Sequence, residues 1–137
     1  MPVADSAPTR YPFAYAVIRI VPRVERQEFV NAGIVLYSRP RRFLGARTAV
    51  DSDRWLALWP SLDTAAVERQ LEIICLVAEG DPMGGPIARL SAAERFGWLS
   101  APASTVVQPG PVHSGLATDP NLALTELFAR LVALPQQ

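Results

Sequence analysis

FAYAVIRIVPRVERQEFVNAGIVLYS, from Phe13 to Ser38, decides the architecture of this chain. Its first nine residues are dominated by aromatic, β-branched and small apolar side chains, which suit a pleated strand. Phe13, Tyr15, Val17, Arg19 and Val21 alternate with Ala14, Ala16, Ile18 and Ile20. Both sets are apolar except for Arg19, so the strand is expected centrally, covered on both sides or nearly so. The charge of Arg19 then needs a partner. Pro22 stops the strand, because proline has no N–H for the ladder. The connection RVERQE leads into a second strand, Phe29–Ser38. There Val30, Ala32, Ile34 and Leu36 form an apolar face, and Phe29, Asn31, Gly33, Val35 and Tyr37 a mixed one. A connection centred near Glu25 pairs residues whose numbers add to about 50. This sets Arg19 opposite Asn31, and Val17 opposite Gly33.

Outward from this hairpin, RPR turns the chain into a third strand, Arg42–Val50, completing a β-meander. Asp51 or Ser52 caps a short helix that Pro60 ends. Asp63 caps a longer helix whose Val67, Leu71, Ile74 and Ala78 share one face, and Gly80 follows where a left-handed residue is expected. Ser91 and Glu94 have capping-box spacing. Ser104–Gln108 reads as a short fourth strand, and PGPVHSGLATDP as a loop. Asp119 or Thr118 then caps a last helix with Pro120 in its first position and Leu124, Leu127, Phe128 and Leu131 as its apolar stripe. Residues 1–12 read as a flexible tail and 13–134 as one domain. The fold class is α+β: an antiparallel meander of three strands plus a later fourth, with helices packed on one face in two layers.

Thirteen arginines, no lysine and thirteen acids leave no net charge, which disfavours a nucleic-acid binder. The single cysteine, Cys75, excludes an intramolecular disulfide and a cysteine metal cluster. The start lacks a signal-peptide pattern and no apolar run is long enough for a membrane span, so the expected location is cytoplasmic.

YAVIRIVP, EFVNAGIVLYSR and RRFLGAR, with IARL and ERFGWLSAPASTVVQPGPVHSGL later, give the chain a family likeness over about residues 11–132. It resembles the bacterial domain-of-unknown-function family 3037. The resemblance implies no activity and no catalytic residues. It also implies, as an expectation, a protein partner of the HipA-like kinase kind.

The candidate site residues are Arg19, Glu28, Asn31, Gly33, Arg41, Arg42 and His113. Arg19 and Asn31, with Glu25 or Glu28, form a polar group on one strand face. Gly33 there admits a ligand or another backbone. The plainer alternative is structural: Arg19 pairs with Glu28 while Asn31 satisfies a bulge, in which case Arg19→Ala costs about 1–3 kcal/mol. Arg41 and Arg42 belong to a local basic excess, but the two loops that carry it lie at opposite ends of the second strand. His113, the sole histidine, is the one obvious acid/base near neutral pH. It stands beside Ser114 with no orienting third group, and a loop-anchoring role is the plainer reading. Asp51 and Asp53 could hold a divalent ion, though capping explains them more simply. No metal, cofactor or catalytic residue is assigned. The expected function is a non-enzymatic partner-binding or regulatory module. The alternative is a small enzyme or nucleotide/phosphate-binding protein with a pocket near Arg19, Asn31 and His113.

Overall fold

A computed structural model describes residues 8–133. Most of the proposed tail, residues 1–7, and position 134 lie outside the described residues. The elements are β1 (Tyr11–Ile20), β2 (Val30–Ser38), β3 (Phe43–Thr48), α1 (Ser52–Leu58), α2 (Thr64–Glu79), α3 (Ala92–Ser100), β4 (Val107–Ala117) and α4 (Pro120–Leu131). Tyr11 and Pro12, assigned to the tail from sequence, begin β1. The protein is α+β, built on a four-stranded antiparallel sheet in the order β3-β2-β1-β4. No helix among the described residues is long and apolar enough to cross a membrane.

The helix boundaries follow local chemistry. Asp51, Asp63, Ser91 and Asp119 each accept a backbone N–H at the start of a helix, as their spacing predicts. Gly80 ends α2 at φ 71°, a conformation glycine adopts without a Cβ penalty. Just beyond it Arg95, from α3, donates to the carbonyls of Val77 at 3.0 Å and Ala78 at 2.7 Å, and to Leu90 O at 3.1 Å. A cation is thereby fixed at the negative end of α2.

Helices cover both faces of the sheet, which corrects the expected two layers. On one face Ile18, Ile20, Val30, Ala32 and Val35 join Trp55 of α1, Val67 and Leu71 of α2 and Leu99 of α3. On the other, Ile34 and Leu36 join Ala123, Leu124 and Leu127 of α4. The physical reason is already present in β1 and β2, whose two faces are both apolar and both need cover.

Two bulges set the register. Arg19 faces Asn31 as the hairpin arithmetic predicts, but Ile18 faces Gly33 and Val17 faces Ile34, because Ala32 is an extra residue in β2. The phase of β2 therefore flips, and the expected single face of Val30, Ala32, Ile34 and Leu36 is divided between the two cores. In β4, Gly110 and Pro111 together occupy the level of Val17, between the pairs Ala16–Val112 and Ile18–Pro109. The segment expected to be a loop is thus most of an eleven-residue strand. It lies at the sheet edge, where proline is tolerated.

Candidate functional site

β1 alternates, so Phe13, Tyr15, Val17 and Arg19 point to the α4 side of the sheet. α4 packs across β2 and β3, which leaves the β1–β4 half of that face only partly covered. Arg19 lies there, next to the β2 bulge and two residues along β1 from the level of the β4 bulge. Bulges bend a strand locally and re-aim its side chains.

The guanidinium of Arg19 is held by non-ionic groups. Its Cζ lies 4.2 Å from the centre of the half-exposed Phe29 ring, in cation–π geometry. On another side it meets Gly110, where a Cβ would come 2.7 Å from Arg19 Cζ, so a side chain there would displace the guanidinium from this position. Arg19 makes no ion pair among the described residues. Its Nε is buried without a hydrogen-bond partner, and so is Oδ1 of Asn31 on the opposing strand. The other end of the Asn31 amide, Nδ2, donates to Leu131 O at the end of α4 over 3.0 Å.

The expected Arg19–Glu28 pair is therefore not formed. Glu28 pairs with Arg26 in the same exposed turn, and the Arg26 hydrogen bond and charge hold its carboxyl below the usual range. Asn31 bonds α4 rather than satisfying the bulge beside it. Gly33 serves a backbone: a Cβ there would lie 2.9 Å from Arg47 O and 2.9 Å from Thr48 Cγ2, so the residue lets β3 approach. Arg41 and Arg42 sit in the β2–β3 turn, Arg42 at φ 51° and Arg41 over the Tyr11 ring at 5.0 Å. They stand at the opposite end of β2 from Arg23 and Arg26. Arg47 turns instead to α4, 4.9 Å from the centre of the Phe128 ring and 3.2 Å from Thr125 Oγ1.

His113 is exposed in β4, opposite Tyr15, with ring centres 5.4 Å apart. It shares the face of Arg19 but stands four residues along β1, about 13 Å at the usual strand rise. Arg19, Asn31 and His113 thus share a surface without converging on one point. Phe29 and Gly110, which hold Arg19, do not stand out in the sequence. The only signal for Gly110 is its place in PGP, which suggests a loop.

Two clefts lie elsewhere, and neither contains Arg19, Asn31 or His113. One of about 960 Å³ lies between the Pro22–Phe29 turn and the α1–α2 link, with Arg23 and Arg26 in its lining. Arg26 is already paired there. The other, of about 500 Å³ and mainly apolar, lies between α2, α3 and the start of β4, with Ile73 and Trp98 at its rim. Among the described residues no group of three or more His, Cys, Asp and Glu could hold a metal ion, and Asp51 caps α1. Burial pushes the half-buried Cys75 thiol up from its ordinary pKa.

The fold and this face define an α+β protein with helices on both faces of an antiparallel sheet, one face only partly covered, where Arg19 is clasped by an aromatic ring and makes no ion pair among the described residues. The chain belongs to the family described as Protein of unknown function (DUF3037), whose model matches residues 15–132. No curated protein and no solved structure matches it.

Proposed function

We propose that this protein is a non-enzymatic binding module that takes an anionic group of a protein partner at Arg19. One observation carries the reading: a guanidinium fixed between Phe29 and Gly110, on the less covered half of the sheet, with no carboxylate of its own. Such a cation has already lost side-chain freedom and part of its hydration, so an incoming carboxylate or phosphate gains a charge-assisted bond at little ordering cost. Val17 is next to it on the same face, and Tyr15 and Phe13 lie further along β1, adding partly exposed apolar and aromatic surface of the kind found at interfaces.

The test is affinity capture from the native host with the tagged wild type and an Arg19→Gln variant, whose fold is checked by circular dichroism. The HipA-like kinase expected from the resemblance is the first partner to assay. A partner retained by the wild type and lost from the variant supports the reading. A partner held equally by both overturns it. The nucleotide- or phosphate-binding alternative draws on the same guanidinium. It gains support if inorganic phosphate or ATP alone shifts the Arg19 and Asn31 side-chain NMR signals.

A further inference from the structure

The sheet has two edges, and they differ. β3 is short, and α2 and α4 both pack against it. β4 is long, and besides its ladder with β1 no backbone hydrogen bond among the described residues involves Val112–Ala117. Natural proteins guard such edges with proline, charge or cover. Here Pro109 and Pro111 guard only the first half. From Val112 to Ala117 there is no proline, and β4 contains no Asp, Glu, Lys or Arg. Yet Val112 is 50% exposed and Leu116 57%.

The spacing of these residues identifies what fits. Val112, Ser114 and Leu116 lie opposite Ala16, Ala14 and Pro12, on the side of the sheet that faces α1, α2 and α3. A two-fold axis through Ser114 sets Val112 of one copy against Leu116 of the other, and the reverse. The exposed apolar side chains then meet as two Val112–Leu116 pairs, about 13 Å apart along the strand with the two Ser114 residues between them. On the opposite side the same axis sets the His113 ring against Gly115, so large meets small. The chain has no net charge, so two copies approach without long-range repulsion. We propose that the protein is a two-fold homodimer in which β4 pairs antiparallel with β4 of a second copy about Ser114, joining the two sheets into one.

The experiment is sedimentation equilibrium of the full chain at tens of micromolar, together with a cross-linking variant. The wild type is expected at twice the 14.9 kDa chain mass. Val112→Lys with Leu116→Lys, both at exposed positions, is expected at the mass of one chain with unchanged circular dichroism. In a Cys75→Ser background, Ser114→Cys is expected to form a disulfide-linked dimer on mild oxidation, because the axis brings that position against itself. A monomeric wild type overturns the proposal. So does a dimer that survives the double lysine variant while the Ser114→Cys variant stays unlinked, since the copies would then meet through another surface.

Discussion

Arg19→Met separates a site from a structural ion pair. If Arg19 were paired, its loss would be costly. As the structure stands, its Nε is buried without a partner, and such a group costs about 1–3 kcal/mol of desolvation. Against this stands the contact with Phe29, worth about 0.5–1 kcal/mol where partly exposed. Methionine keeps the apolar stem and a sulfur–aromatic contact, so most of the packing survives. The balance is a gain of about 1 kcal/mol, or about 3 °C in melting temperature for a chain of this size. Urea denaturation followed by circular dichroism measures it, with the slope compared between proteins so that a midpoint shift can be read as stability. Adding Phe29→Leu to both backgrounds isolates the ring contact. A loss of about 1 kcal/mol or more in Arg19→Met would refute the reasoning, since it would mean that the guanidinium has a stabilising partner. A gain in stability joined to lost capture of a partner would mark a residue maintained at the expense of the fold.

Two further outcomes follow from backbone geometry. Arg95→Met strips the donors from Val77 O and Ala78 O at the end of α2 and should cost about 2 kcal/mol in urea denaturation. Arg95→Lys should recover part of this, and an unchanged midpoint for Arg95→Met would show that water replaces the clamp freely. Gly33→Ala forces a Cβ against Arg47 O and Thr48 Cγ2 and should cost about 1–3 kcal/mol. Faster amide exchange in β3 would accompany it, and wild-type stability would mean that β3 can move aside.

The parts of the fold legible in the sequence are those set by local rules. Asp51, Asp63, Ser91, Gly80 and Asp119 occupy caps that their spacing predicts, and Arg19 meets Asn31 as the hairpin arithmetic requires. A bulge beside Asn31 is legible as one alternative, but its place at Ala32 and the face switch it causes are not, because Ala32 and Gly33 are both small and the apolar alternation runs through them unbroken. β4 escapes the sequence reading for a related reason. Pro109, Gly110 and Pro111 signal a loop wherever every N–H is needed, but an edge strand has unneeded ones. The candidate site is half visible: Arg19 and Asn31 stand out as polar residues in apolar strands. Phe29 and Gly110 come from separate segments, and only the folded register brings them to Arg19.

Asn31 joins two parts of the molecule through one rigid amide. Its Nδ2 end holds the last carbonyl of α4, and its Oδ1 end lies buried on the strand facing Arg19. Only a donor can engage Oδ1, so an anion held at Arg19 leaves the amide plane, and the Leu131 anchor with it, in place. The Asn31 amide thus locks the end of α4 to β2 whatever Arg19 holds.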